Sequence, residues 1–178
     1  WCALHDGVAP GLFPQEFFLF TGSCLALDGN GILFTAPSGT GKSTHARLWR
    51  ERFGYRVTML NDDKPLLQYD RAADGWTAWG TPWCGKEGIH TNTSAPLRCI
   101  VLIRQGAENA IRELSAGEAA EQFLKQALIP ADDFAMRLKS LDLIGHLAQL
   151  PVYELTCTIS QEAVALSFAA LNRQQNRL

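Results

Sequence analysis

A short run of small residues that ends in Gly-Lys-Ser constrains the fold of this chain more than any other part of its sequence. Residues 36–43 read APSGTGKS and match the phosphate-loop pattern, with Ala36 in the place of the first glycine. An apolar strand pattern precedes the run, and a helical pattern with Ala46, Trp49 and Phe53 on one face follows it. Because a phosphate-binding loop needs a strand before it and a helix after it, this context favours nucleotide binding over a chance match.

The residue types in this loop suit a bound polyphosphate. Small residues let the backbone curl so that successive N–H groups point inward at an anion. Lys42 supplies an ammonium group for the outer phosphates, and Ser43 supplies a hydroxyl group for Mg²⁺. The N-terminus of the following helix adds positive potential. The sequence therefore predicts a site for a nucleoside triphosphate.

Two adjacent acids, Asp62 and Asp63, follow the next predicted strand at residues 57–60. Because ligands of open α/β sheets bind at the carboxyl ends of the strands, we expect both carboxylates to face the phosphate loop. Two neighbouring acids can divide the work, one binding Mg²⁺ and one accepting the proton of an attacking hydroxyl group. The alternative is a solvated Asn-Asp-Asp-Lys-Pro turn; the position one helix after the phosphate loop favours the functional interpretation.

The rest of the chain alternates strand and helix patterns, which predicts a single α/β domain over residues 1–178. We expect a mixed sheet with antiparallel hairpins and flanking helices. The predicted hairpins pair residues 17–27 with 32–35 and residues 66–69 with 76–79. Further strands are predicted at 98–104 and 152–157, and helices at 42–53, 115–128, 131–150 and 161–171. The segment 80–96 shows no helical or strand periodicity of apolar residues and is predicted to be a functional loop.

Composition excludes several classes of function. The net charge of −2 provides no basic field for nucleic acid or acidic lipid. The five cysteines are scattered and include no C-x-x-C pair for zinc or redox chemistry. The longest apolar stretch is too short for a membrane span, so we expect a cytoplasmic protein. The chain begins at Trp1 rather than methionine, so we expect further residues upstream.

Two cations outside the motif are candidates for phosphate contacts. Lys86 lies in a Gly-Lys-Glu-Gly segment of the long loop, where it could swing onto a transferring phosphoryl group. The alternative is a surface lysine in a flexible turn. Arg47, in the first turns of the helix after the phosphate loop, is a second candidate.

These motifs resemble those of the kinase domain of HPr kinase/phosphorylase, whose nucleotide core is similar to that of phosphoenolpyruvate carboxykinase. The resemblance rests on the hairpin, SGTGKST, the Asp pair and the Trp- and Gly-bearing segment beyond. It implies a Mg²⁺-dependent kinase with Asp62 as general base and with Ser43 and Asp63 as metal ligands. It also implies that the phosphates of ATP are held by Ser38, Gly39, Thr40, Gly41, Lys42, Ser43 and Thr44.

The sequence departs from HPr kinases in two respects. Thr21-Gly22 occupies the place of a histidine in the strand before the phosphate loop, and the late glycine-rich segment that grips the protein partner is missing. The shorter homologues, some similar to kinases that accompany ribosomally made peptides, are therefore the closer comparison. We expect transfer of the γ-phosphoryl group of ATP to a hydroxyl group of a peptide, protein or small molecule, in a monomer or homo-oligomer. The alternatives are an ATP-binding regulatory or scaffold domain, which Thr21 favours, and an acceptor-independent NTPase.

Overall fold

A mixed β-sheet with α-helices on both faces forms the fold, and the fold class predicted from the sequence is confirmed. The computed structural model describes residues 16–83, 85, 88–129 and 134–175. The strands are β1 (Phe17–Leu19), β2 (Ser23–Leu27), β3 (Asn30–Thr35), β4 (Val57–Asn61), β5 (Leu66–Asp70), β6 (Gly75–Trp79), β7 (Ser94–Gln105), β8 (Ala110–Glu113) and β9 (Val152–Cys157). The α-helices are α1 (Lys42–Phe53), α2 (Ala116–Leu124), α3 (Phe134–Leu147) and α4 (Gln161–Gln175).

The long strand β7 joins the two parts of the sheet. The strand order is β1-β5-β6-β7-β3-β2-β4, and β9 pairs with both β7 and β8. Strands β3, β7 and β9 are parallel, and β4 runs in the same direction because β3 and β4 are both antiparallel to β2. The loops that follow β3, β4, β7 and β9 therefore lie at one edge of the sheet, where ligands of α/β proteins bind.

Successive side chains of the central strands point to opposite faces and form two apolar clusters. Leu33 and Ile100 face the cluster that includes Phe123 of α2, whereas Phe34 faces the cluster that includes Trp49 of α1. Both faces of the central sheet are thus covered by helices, as expected for strands with near-continuous apolar sequences. This packing on two sides holds α1 and the loop before it against the sheet.

The first apolar run is not one strand, which corrects the prediction for residues 17–27. The hairpin of β2 and β3 is present, and its turn residues Asp28 and Gly29 both have positive φ. The preceding strand β1 pairs instead with β5. A Cβ atom at Gly22 would lie 2.6 Å from Leu33 Cδ1 and 2.8 Å from the Phe34 carbonyl oxygen. Glycine is therefore required where the chain passes from β1 into β2.

Several other elements are present with shifted ends. The capping box of Ser115 and Glu118 starts α2 as predicted, but α2 ends at Leu124 rather than near residue 128. Strand β7 begins at Ser94, inside the segment predicted to be an irregular loop. Strand β8 is missing from the prediction because its side chains are mostly exposed and show no apolar alternation. No helix in the described part of the chain is both long and apolar enough to span a bilayer.

Candidate functional site

The phosphate loop, residues 36–43, connects β3 to α1 and takes its shape from local backbone geometry. Gly39 and Gly41 have φ values of 80° and 114°, which L side chains rarely adopt. Thr40 closes the turn, since its N–H and its hydroxyl group donate to the Pro37 carbonyl oxygen at 3.3 and 2.9 Å. The helix begins directly at Lys42. Free N–H groups at the start of α1 therefore face the same side as the loop.

Lys42 lies folded against this loop and is buried. Its Nζ donates to the carbonyl oxygens of Ala36 and Pro37 at 2.9 and 3.2 Å. Burial lowers the pKa of Lys42, and the negative charge of Asp63 acts in the opposite direction. The ammonium group is thus placed between the loop backbone and the acid that follows β4.

Asp62 and Asp63, here called the acid pair, follow the last residue of β4 and differ in their surroundings. Asp62 is buried, and its Oδ1 accepts the Gly85 N–H at 2.7 Å. Its Oδ2 is also buried and has no hydrogen-bond partner among the described residues. The side chain of Asp63 is about one-third exposed and lies 3.7 Å from Lys64 Nζ. One carboxylate is fixed with a free oxygen, and the other lies at the surface of the site.

The phosphate loop and the acid pair border one cleft of about 540 Å³, here called the phosphate cleft. Its walls are formed by Ser38, Gly39, Gly41, Lys42, Ser43, Thr44, Asp62, Asp63 and Gly85. The structure therefore brings together almost every site residue proposed from the sequence, except Thr40 and Lys86. Thr40 borders a neighbouring cleft, and Lys86 lies outside the described residues. Arg47 is exposed on α1 and pairs with Glu51.

Residues 21–23, where the chain enters β2, support the backbone of the acid pair. The Gly22 N–H donates to the Asp63 carbonyl oxygen at 2.9 Å. The Ser23 hydroxyl group donates to the Asp62 carbonyl oxygen at 3.2 Å. Thr21, in the place of the histidine of HPr kinases, accepts a hydrogen bond at its carbonyl oxygen from Thr35 Oγ1. Residues 21–23 thus tie the acid pair to the strand that enters the phosphate loop. Sequence reasoning missed this role because it depends on contacts between residues far apart in the chain.

A second cleft of about 420 Å³, here called the side cleft, lies on the other side of the phosphate loop. It shares Gly39, Gly41 and Thr44 with the phosphate cleft. Its remaining walls come from the phosphate loop, from α1 and from the segments at the ends of β7 and β9: Thr40, His45, Leu48, Ile103, Gln105, Gly106, Cys157, Thr158 and Ile159. A cleft whose surface is more apolar than polar, with Leu48, Ile103 and Ile159 in its walls, suits a flat organic ring.

His45 is a buried, neutral part of the packing between α1 and α4. Its Nε2 lies 3.0 Å from Ser167 Oγ, which also accepts the Trp49 Nε1–H at 3.0 Å. The ring meets the Phe34 ring edge-on. Burial lowers the pKa of His45 to about 4. His45 therefore carries no charge toward a phosphate near neutral pH.

This buried histidine is expected to make stability depend on pH. The unfolded chain binds a proton at His45 below its ordinary pKa of about 6.5, whereas the folded chain binds it only near pH 4. The unfolded state holds more protons in this window, so the free energy of unfolding falls as the pH decreases through it, by up to about 3 kcal/mol. The free energy of unfolding, measured with urea at pH 7 and at pH 4.5, should differ more between the two pH values in wild type than in His45→Gln. Equal differences would contradict the expectation.

The donors in the phosphate cleft fit Mg²⁺. The Ser43 hydroxyl group and the carboxylates of Asp62 and Asp63 are hard oxygen ligands, and the free Oδ2 of Asp62 has lone pairs available. Nowhere in the described residues do three or more His, Cys, Asp or Glu side chains gather into a metal cluster. Beside phosphates, Mg²⁺ takes one or two carboxylates together with phosphate oxygens and waters, and the acid pair offers such carboxylates.

The geometry defines an α/β protein with a phosphate loop that faces a pair of acids. The chain belongs to the family described as SynChlorMet cassette protein ScmC, whose family model matches residues 14–163. Among solved structures it is similar to the HPr(Ser) kinase/phosphatase from Coxiella burnetii, with 11% identity and a TM-score of 0.47, over 89% of this chain and 97% of that chain. No curated protein matches the chain. The resemblance to HPr kinase thus stays one of shared motifs.

Proposed function

We propose that this chain is a Mg²⁺-dependent phosphotransferase that moves the γ-phosphoryl group of ATP to a hydroxyl group. The acceptor is the seryl side chain of a peptide or protein, or a small-molecule alcohol. One observation carries the proposal: a phosphate loop and two carboxylates, one with a buried free oxygen, border the same cleft. Phosphoryl transfer requires mainly positioning and charge stabilisation, and this set of groups supplies both.

The side cleft is the natural place for the nucleoside of ATP. It adjoins the phosphate loop at Gly39, Gly41 and Thr44, and it lies away from the acid pair. A nucleotide that reached from the side cleft into the phosphate cleft would present its last phosphate to the acid pair. Leu48 and Ile159 would offer aliphatic contacts to the base.

Each group in the phosphate cleft has a defined part in the reaction. The loop N–H groups and the Lys42 ammonium group bind the phosphate oxygens. Ser43 and Asp63 would hold Mg²⁺, which neutralises charge on the phosphates when bound. The acceptor oxygen forms a bond to the γ-phosphorus as the bond from that phosphorus to the bridging oxygen breaks and ADP leaves. Asp62, which borders the cleft, takes the proton of the acceptor hydroxyl group at its carboxylate.

The direct test is to supply ATP labelled in its γ-phosphate, with Mg²⁺, together with peptide and small-metabolite extracts of the host, and to follow the label. We expect Mg²⁺-dependent binding of ATP that is tighter than binding of inorganic triphosphate, because only ATP fills the side cleft. We also expect label to appear in an acceptor that gains the mass of one phosphate. Steady release of phosphate without any acceptor would identify an NTPase. Binding without transfer or release would identify a regulatory ATP-binding domain.

A further inference from the structure

Asn61, the residue immediately before the acid pair, is completely buried and uses both ends of its amide. Its Oδ1 accepts the backbone N–H groups of Asp63 and Lys64 at 2.8 and 2.6 Å. Its two Nδ2–H groups are shared among three acceptors: the carbonyl oxygens of Thr81 and Trp83, each at 3.0 Å, and the Thr81 hydroxyl oxygen at 2.9 Å. The amide thus joins the turn that carries the acid pair to the loop after β6.

Thr81 completes this connection from the opposite side. Its side chain is buried, and its hydroxyl group donates to the Lys64 carbonyl oxygen at 2.8 Å. The turn and the loop are therefore held to each other by a closed ring of hydrogen bonds through Asn61, Thr81 and Lys64. We call the side chains of Asn61 and Thr81 the clamp.

The clamp also sets the position of the next part of the loop. Gly85 follows the clamped residues 81–83 and donates its N–H to Asp62 Oδ1. A Cβ atom at Gly85 would lie 3.2 Å from Asp62 Oδ2 and 3.4 Å from Asp63 Cβ, so the loop backbone lies directly against the acid pair. The direction of the free Asp62 oxygen thus depends on where the clamp places this loop.

We infer that Asn61, acting with Thr81, is a positioning residue for phosphoryl transfer: it aims the carboxylates of Asp62 and Asp63 at the phosphate loop. The inference rests on the proposed function. Neither clamp residue borders the phosphate cleft, so both act through the acid pair and the loop. A displacement of about 1 Å in a reacting group can cost about 10² in rate, which sets the scale of the expected effect.

The first test measures the clamp without any nucleotide. Removing the Asn61 amide leaves two backbone N–H groups and two carbonyl groups without their partner, and the turn should open locally. In Asn61→Ala, NMR should show faster hydrogen exchange at the amides of Asp63, Lys64 and Gly85. Asn30→Ala is the matched control, because the Asn30 side chain also makes hydrogen bonds through both ends of its amide. Asn30 lies at the start of β3, whereas the phosphate loop follows the end of that strand. Unchanged protection in Asn61→Ala would overturn the inference.

The second test separates positioning from simple loss of stability. Rates are expressed per ATP-binding site, at a temperature where every variant is folded. We expect Asn61→Ala to lower kcat by about 10² with little change in KM for ATP. Thr81→Val should lower kcat about tenfold, and Thr81→Ser, which keeps the hydroxyl group, should restore it. The double variant should be no slower than Asn61→Ala, since both residues act through one connection.

The outcomes distinguish failure of the clamp from failure of the proposed function. The positioning role would be overturned if Asn61→Ala transferred phosphate at the wild-type rate per site, or if the losses in kcat were additive in the double variant. Neither result would contradict the proposed phosphoryl transfer. A wild-type protein that binds no Mg²⁺-ATP and transfers no phosphate would overturn the proposed function. In that case the hydrogen-exchange measurement would still show whether the clamp holds the turn and the loop together, because it requires neither ATP nor turnover.

Discussion

Replacing Lys42 with alanine is expected to weaken ATP binding by about 10² or more while the fold stays intact. The ammonium group is the one cation within the described walls of the phosphate cleft, and its hydrogen bonds to phosphate oxygens are charge-assisted. Hydrogen bonds to charged groups contribute about 1.5–3 kcal/mol each, so the loss of one or two such bonds accounts for a change of this size. Titration calorimetry with Mg²⁺-ATP measures the effect directly.

The matched control for this experiment is Arg47→Ala on the same helix. Arg47 is exposed and its partner is Glu51, so its removal takes away one positive charge without reaching the phosphate cleft. We expect near wild-type affinity for ATP in Arg47→Ala and unchanged circular dichroism in both variants. If Lys42→Ala binds ATP as tightly as Arg47→Ala, the phosphate-loop interpretation is wrong.

The parts of the molecule that the sequence predicts well are those specified by neighbouring residues. Helix α1 follows from apolar spacing and from Gly54 at its end, and the β2–β3 turn follows from Asp28 and Gly29. The meeting of the phosphate loop with the acid pair needs only one further rule, that strands running in one direction end at the same edge. Local patterns and this rule are enough to place Lys42 and Asp62 in one cleft.

What the sequence does not predict depends on partners that lie far along the chain. The break between β1 and β2 follows from the pairing of β1 with β5 and from the close approach of Gly22 to Leu33. Asn61 resembles an ordinary turn residue until its bonds to Thr81 and Trp83, some twenty positions later, are seen. No periodicity or motif encodes such contacts, because they arise only once the sheet has assembled. The side cleft escapes prediction for the same reason.

The two members of the acid pair are expected to fail in different ways when each is changed to asparagine. Asp62 is buried with one oxygen held by the Gly85 N–H and the other free, an arrangement that suits a proton acceptor. Loss of a general base slows the chemical step by about 10² to 10⁴ and leaves ground-state binding nearly unchanged. Asp62→Asn should therefore bind Mg²⁺-ATP normally and transfer its phosphoryl group poorly in single-turnover measurements.

Asp63 is more exposed, and its charge acts on Lys42 at the phosphate loop, a position that suits a metal ligand. Asp63→Asn should need more Mg²⁺ both for ATP binding and for transfer, because the metal would join the protein to the phosphates. Asp28→Asn is the control: Asp28 is exposed, far from the cleft, and has positive φ, which asparagine tolerates. If the Mg²⁺ requirement rises in Asp62→Asn instead, the two roles are exchanged. Full activity in both variants would mean that neither carboxylate takes part, and the cleft would then serve nucleotide binding alone.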